Sequence, residues 1–247
     1  MIDVKKAISI VSLALLLGSS TLLAEGNDAS IEENAVQKNG ATLLKNTYTY
    51  MGDLSKYAFG ASITNSITDE NVDIVMKRHS DVKVQRDSMF RVDSKGENID
   101  RSVYLSNGVF TMIDNKEKYY ASVKTGKGID GTLEHISKKL GIILPISTLI
   151  HSDMTKFIHP SRVQYFGTKV ISGVNCDYVA FRKKNTIVHL WIEDSATPLI
   201  RFAKIVTKGF GTTDMTLDWD TSPGFSNSTF VFKAPKGASN VSIVAAK

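Results

Sequence analysis

The chain has 247 residues, a formal net charge of +5, 42% hydrophobic residues and a single cysteine. This length suits one domain of a large β type, and the modest, dispersed positive charge argues against a nucleic-acid-binding surface. A single cysteine cannot close an intramolecular disulfide, so we expect Cys176, which lies in an apolar strand-like segment, to be a buried structural thiol.

Residues 1–24 have the order of a Sec signal peptide. Two lysines precede an apolar stretch over 7–17, and Ala24 is a small residue just before the expected cleavage at Glu25. The apolar stretch is shorter than the ~20 residues that a membrane-spanning helix needs, and no cysteine lies near the cleavage point. We therefore expect residues 25–247 to form a single periplasmic domain without a stable membrane anchor.

A helix is predicted over residues 29–52, where apolar residues recur at helical spacing. Ser30 and Glu33 would form a capping box at its start, and Gly40 weakens its middle. From Lys56 the pattern becomes that of strands, which we predict at 57–63, 72–76, 82–85, 89–93, 102–105 and 109–113. Asn107-Gly108 predicts a tight hairpin turn between the last two strands.

The middle of the chain is predicted to be a helical insert. Gly128–Leu140 has an apolar helical face, an apolar loop follows, and short helices are expected at Leu149–Ile150 and Met154–Ile158. Ser152 and Asp153 are interpreted as a cap for the last of these. Because the insert is unusually apolar for a surface connection, we expect it to pack against a face of the sheet.

Strands resume after the insert, with a Ser172-Gly173 hairpin turn between the first two of them. They are predicted at 163–171, 176–182, 186–193, 199–207 and 213–219. The simplest assembly of all these elements is one large, meandering antiparallel sheet with a helical insert.

Residue patterns of catalytic sites are missing from the sequence. The five histidines form no H-E-x-x-H or H-x-H pair, and there is no nucleophile elbow, Walker loop or dinucleotide fingerprint. Glu193 and Asp194 are adjacent, and consecutive strand residues point to opposite faces of a sheet. We therefore predict no enzyme, no metal site and no cofactor; a hydrolase of an envelope lipid stays open, because catalytic residues distant in sequence leave no such pattern.

The sequence contains more apolar and aromatic residues than are needed to cover one face of a sheet. For a single residue an ordinary core position explains this, but the whole set favours an apolar ligand cavity between sheet and helices. The candidate lining residues are Phe59, Phe90, Val92, Phe110, Met112, Leu144, Leu149, Phe181, Leu190 and Trp191. Strand alternation alone does not say which of them face the cavity.

Several stretches of the sequence resemble a known family. They are VKVQRDSMFRV at 82–92, LSNGVFTM at 105–112, GIILPISTLI at 141–150, VQYFGTKVISGVNCDYVAFR at 163–182, LWIE at 190–193, PL at 198–199 and FVFKAPKGA at 230–238. Together they are similar to predicted periplasmic proteins of unknown function that are grouped with the LolA/LolB-like lipoprotein carriers. The resemblance covers the chain from about residue 35 to its C-terminus.

The resemblance implies a mainly β (α+β) fold: a curved antiparallel half-barrel sheet, closed on its concave face by helices. In LolA-like proteins such a cavity shelters acyl chains in the periplasm. The leading hypothesis is therefore a non-enzymatic protein that holds a lipid or the acyl chains of a lipoprotein. The alternative is an envelope sensor that recognises lipoproteins or lipopolysaccharide, or another envelope protein as its partner.

Overall fold

A computed structural model describes residues 38–69, 72–126, 128–142, 144, 146–157 and 163–243, which all lie in the compact unit Gln37–Lys247. The predicted signal peptide and the Ser30–Glu33 capping box lie outside the described residues, so both stay predictions. No helix in the described ranges is long and apolar enough to cross a membrane.

Within the described residues, twelve strands form one curved sheet. Its order is β12-β6-β5-β4-β3-β2-β1-β11-β10-β9-β8-β7, and every neighbouring pair is antiparallel except β12 with β6. The strands are β1 Lys56–Asp69, β2 Val72–Gln85, β3 Met89–Gly96, β4 Ile99–Ser106, β5 Val109–Asp114, β6 Tyr119–Lys124, β7 Val163–Ile171, β8 Val174–Lys183, β9 Thr186–Glu193, β10 Ile200–Thr207, β11 Gly211–Asp220 and β12 Ser239–Asn240. The sheet is not closed, since the order ends at β12 on one side and β7 on the other.

The predicted hairpin turns are confirmed. Asn107 and Gly108 have φ of 53° and 72°, and Ser172 and Gly173 have φ of 49° and 81°. Two successive residues with positive φ are typical of the turn type that matches the twist of a two-residue hairpin.

Two details of the predicted strands are wrong. The stretches 72–76 and 82–85 belong to one continuous strand, because β2 pairs with β1 from Val72 to Gln85 and the ladder carries the polar residues between them. β6 was not predicted, because only Ala121 is buried in it and alternation is therefore weak. Pairing with β5 makes Tyr119–Lys124 a strand.

Helix α1 spans Gly40–Asp53. Gly40, expected in the middle of a longer helix, is its first residue, and the Asn39 side chain accepts hydrogen bonds from the N–H groups of Ala41 and Thr42. A Cβ on Gly40 would lie 3.1 Å from the backbone of Gln164 in β7. The glycine therefore lets the start of α1 approach the edge strand closely.

The helical insert is confirmed, with helices α2, Ile129–Leu140, and α3, Ser147–Ile150, followed by a 3₁₀ turn at Met154–Phe157. Asp153 accepts hydrogen bonds from the N–H and hydroxyl groups of Thr155, as expected of a cap. Buried side chains of the insert belong to the same hydrophobic cluster as those of the sheet: Ile129, Leu133, Ile136, Ile146, Leu149, Ile150 and Met154. The insert thus packs on a sheet face, as predicted.

Arg86, directly after β2, joins the helices to the sheet. Its guanidinium donates to the carbonyl oxygens of Met51, Leu54 and Ile150 at 3.1–3.3 Å and to the Tyr57 hydroxyl at 3.1 Å. The Tyr57 hydroxyl in turn donates to the carbonyl oxygen of Leu149 at 2.9 Å. One charged side chain therefore satisfies carbonyls at the ends of both α1 and α3.

Replacing Arg86 by methionine keeps most of its apolar volume and leaves these carbonyls without their donor. We expect Arg86→Met to lower the free energy of unfolding by about 2–4 kcal/mol, measured by urea denaturation. Arg182→Met, at an exposed position of β8, is the control and should change stability by less than about 0.5 kcal/mol. Equal effects of the two substitutions would contradict this role of Arg86.

Candidate functional site

A single row of side chains crosses eight strands on the face of the sheet that packs against the helices, called here the inner face. The register places Val179, Leu190, Ala203, Met215, Ile63, Arg78, Gly96 and Ile99 side by side, one residue from each strand between β8 and β4. The first five are apolar and at most 6% exposed. This row is the axis along which two cavities lie.

The first cavity, of about 140 Å³, lies between α1, α3 and the inner face of β8–β11. Its walls are almost entirely apolar, with Lys183 and Thr148 as the polar exceptions. It is lined by Tyr48, Thr148, Leu149, Phe181, Lys183, Val188, Leu190, Ile200, Ala203, Ile205, Met215 and Leu217. The burial of Tyr48 raises the pKa of its hydroxyl, so this group stays neutral.

The second cavity, of about 210 Å³, lies between the inner face of β1–β5 and the residues Ile142, Leu144 and Ile146. It combines apolar walls with four polar side chains of the sheet. It is lined by Ile63, Arg78, Ser80, Val92, Ser94, Ile99, Arg101, Val103, Met112, Ile142, Leu144 and Ile146. The two cavities adjoin at β1 and β11, where Ile63 and Met215 are directly paired.

The structure places nine of the ten predicted lining residues on the inner face or in the core and the tenth, Trp191, on the opposite face. Leu149, Phe181 and Leu190 line the first cavity, and Val92, Met112 and Leu144 line the second. Phe59, Phe90 and Phe110 are at most 3% exposed in the core and line neither of these cavities.

Trp191 lies on the opposite face of the sheet, because it follows Leu190 in a strand and consecutive side chains alternate. Its ring stacks on Tyr178 with centroids 4.5 Å apart and contacts Phe202 at 5.1 Å. Tyr178 also stacks on Phe166, which is 54% exposed. The tryptophan thus belongs to an aromatic cluster of the outer face and not to the cavities that the other predicted residues line.

The polar members of the second cavity were not singled out from the sequence. Arg78 and Ser80 alternate with Val82 and Val84 along β2, so the period of two places all four on the same face. That alternation is the pattern that could have identified Arg78. The polar segment was instead interpreted as a gap between two strands.

Ser62, His79 and Asp81 form a polar cluster on the outer face that the sequence did not reveal. The Ser62 hydroxyl lies 3.3 Å from His79 Nδ1, and His79 Nε2 lies 3.3 Å from an Asp81 carboxylate oxygen. The His79 and Asp81 side chains are 52% and 61% exposed. β1 pairs with β2 on one side and with β11 on the other at Ser62. The backbone N–H groups near Ser62 are therefore part of the sheet and do not form an oxyanion hole.

A second polar cluster joins the start of α2 to the end of α3. One Asp130 carboxylate oxygen accepts from the Ser152 N–H at 2.9 Å and lies 3.2 Å from His151 Nδ1; the other accepts from the Ser152 hydroxyl at 2.5 Å. Partial burial acts to raise the pKa of Asp130, but the hydrogen bonds from Ser152 and the proximity of His151 outweigh it and hold this pKa below its usual range. The serine bonds to the carboxylate and not to the histidine, so the cluster has the geometry of a structural link.

Cys176 is fully buried, as predicted, and burial raises the pKa of its thiol, which favours the unreactive protonated form. Across the described ranges, no group of three or more His, Cys, Asp and Glu side chains is placed to hold a metal ion.

The fold defines the class of this protein: a mainly β protein built on one curved, unclosed sheet with an apolar inner face. The chain belongs to the family described as Predicted periplasmic protein (DUF2092), whose sequence model matches residues 40–244. This assignment confirms the predicted family of periplasmic proteins and the predicted location.

Solved structures with a similar fold include an uncharacterized conserved protein from Thermus thermophilus, with a TM-score of 0.50 and 9% identity over 83% of this chain and 99% of that one. A LolA superfamily protein from Nitrosomonas europaea has a TM-score of 0.42 and 7% identity over 79% and 98% of the two chains. The lipoprotein LppX of Mycobacterium tuberculosis has a TM-score of 0.44 and 12% identity over 74% and 95%. No curated protein matches the sequence.

The lowered pKa of Asp130 predicts a pH dependence of stability. A carboxyl group with a lower pKa in the folded state contributes stability above its unfolded pKa, and this contribution is lost as the pH falls through the folded value. We expect Asp130→Asn to destabilise the protein at pH 7 and to have a smaller effect near pH 3. Urea denaturation at both pH values measures this difference, and an effect of Asp130→Asn that is the same at pH 7 and pH 3 would contradict it.

Proposed function

We propose that this protein binds the acyl chain of a lipid or of an acylated protein in the periplasm, without catalysing a reaction. The observation that carries the proposal is the pair of adjoining cavities on one apolar row of the sheet. The resemblance of the sequence to LolA-like carriers supports the same function.

The physical reason is the cost of leaving an acyl chain in water, about 0.8 kcal/mol for each CH₂ group. Side chains outside the sheet line both cavities: Tyr48 of α1 and Leu149 of α3 at the first, and Leu144 and Ile146, which precede α3, at the second. In this proposal the helices close the concave face of the sheet and exclude water from a bound chain.

The placement of the polar clusters supports a non-enzymatic role. Ser62, His79 and Asp81 lie on the outer face, and Asp130 and Ser152 are engaged with each other at the junction of two helices. None of these five residues lines either cavity. A chain bound on the inner face would therefore meet no nucleophile from these clusters.

Delipidated protein should take up a fluorescent fatty acid with a saturable isotherm. Val188 is half-buried at the first cavity, and Val188→Trp should weaken this uptake at least tenfold by filling the space. The control is Thr216→Trp, at an exposed position on the outer face of β11. If the unmodified protein shows no saturable binding of any of several lipids, the proposal is wrong.

A second candidate function, recognition of an envelope lipoprotein or lipopolysaccharide, is favoured by the exposed end of β2. From Val72 to Lys77 this strand pairs only with β1, because its pairing with β3 begins at Arg78. Val72 is 60% exposed and Val75 50%. Exposed apolar side chains at the end of a strand are typical of surfaces that bind partners.

Val75→Asp should abolish capture of an envelope lipoprotein in a pull-down from envelope extracts, while fatty-acid uptake stays unchanged. Val170→Asp, at an exposed position of β7, is the matched control. If both variants capture the same proteins as the unmodified chain, the end of β2 is not a recognition surface.

A further inference from the structure

Four polar side chains interrupt the apolar inner face at the second cavity. Ser80 is paired with Ser94 across β2 and β3, and Ser94 is paired with Arg101 across β3 and β4. Arg78 lies two residues before Ser80 and therefore on the same face. The two serine hydroxyls are hydrogen-bonded at 2.8 Å, and Ser80 is only 2% exposed. Two guanidinium groups thus flank a partly buried hydroxyl pair in a cavity whose other walls are apolar.

Arg78 has no hydrogen bond or ion pair with any other part of the chain that the structure describes. Glu97 and Arg78 both line a neighbouring cavity of about 200 Å³, but the two side chains form no ion pair. The residue opposite Arg78 is Gly96, where an added Cβ would lie 2.5 Å from the carbonyl oxygen of Lys77. The register therefore gives Arg78 no side-chain partner on β3.

Half-burial of this guanidinium lowers the pKa of Arg78 but leaves it charged at neutral pH. Withdrawing an arginine from water without a counter-ion is costly, and the group presents five N–H donors in a planar fork. Its chemistry thus favours an anion with two oxygens, such as a carboxylate or a phosphate.

Arg101 faces the same cavity. Its ion pair with Asp114 is long, 3.8 Å, and its side chain is 44% exposed. A single weak ion pair leaves donors of Arg101 available to a ligand. Both arginines therefore present positive charge to one cavity that is otherwise lined by side chains such as Ile63, Val92 and Leu144.

We infer that the second cavity binds the anionic head of an amphiphile, a carboxylate or phosphate, between Arg78 and Arg101, with the alkyl chain lying along the apolar row. This inference rests on the proposed function and adds the ligand's chemical class to it. The Ser80 and Ser94 hydroxyls would contribute further donors to the head group.

The row gives the alkyl chain a direction. From Arg78 it continues through Ile63 and Met215 to Ala203, which lines the first cavity. Three strand spacings of about 4.8 Å separate Arg78 from Ala203, roughly 14 Å in all. A chain of medium length with its head at Arg78 would therefore end in the first cavity.

The test compares ligands that share one chain and differ in the head: laurate, dodecyl phosphate and dodecanol, each titrated into the delipidated protein by calorimetry. We expect laurate and dodecyl phosphate to bind at least tenfold more tightly than dodecanol. Arg78→Gln should remove that advantage and leave the dodecanol affinity unchanged. Arg182→Gln, on the opposite face of the sheet, makes the same change of charge and should have no effect.

A titration with inorganic phosphate at the same concentrations tests whether the site binds a free anion instead of a lipid head. We expect no measurable binding of phosphate. Phosphate binding as tight as that of dodecyl phosphate would overturn the inference, because the chain would then contribute nothing. Equal affinities for all three dodecyl ligands, unaffected by Arg78→Gln, would overturn the assignment of the head group while the acyl-binding function stands. Failure of all three ligands to bind would overturn both.

Discussion

The attachment of the helices to the sheet depends on Arg86. The apolar face of a large sheet is stabilised by the elements that pack on it, and the terminal carbonyls of the short helices that do so here need donors. Arg86 supplies donors to α1 and α3 at once, and Tyr57 adds a bond to Leu149. These bonds fix the ends of α1 and α3, whose apolar side chains pack in the same hydrophobic cluster as those of the inner face.

The two cavities between helices and sheet differ in their chemistry, although residues of the same cross-strand row line both of them. At β8–β11 the row is apolar, and the walls of the first cavity are apolar apart from Lys183, Thr148 and the Tyr48 hydroxyl. At β2–β4 the same row meets Arg78, and Ser80, Ser94 and Arg101 follow in the next row. An amphiphile likewise consists of an apolar chain and a polar head. One such ligand, rather than two unrelated ones, therefore accounts for both cavities.

Much of the fold could be predicted from local patterns. The hairpin at Asn107-Gly108, the helix ending at Leu140 and the strands after residue 163 all follow from turn chemistry and apolar periodicity. The errors occurred where tertiary pairing overrides those patterns. Pairing with β1 keeps the polar centre of β2 in a strand. Pairing with β5 does the same for β6, in which only one of the six side chains is buried.

For the candidate site, the sequence by itself determined that many apolar side chains are available and that Leu190 and Trp191 point to opposite faces of the sheet. Only the tertiary structure decided that Leu190, and not Trp191, points toward the helices. Alternation places the two side chains on opposite faces but does not say on which face the helices pack. Cross-strand register likewise brought Arg78 beside Ile63, 15 positions apart in the chain, and Ser94 beside Arg101. A cavity is formed by such long-range pairing, and no local pattern encodes it.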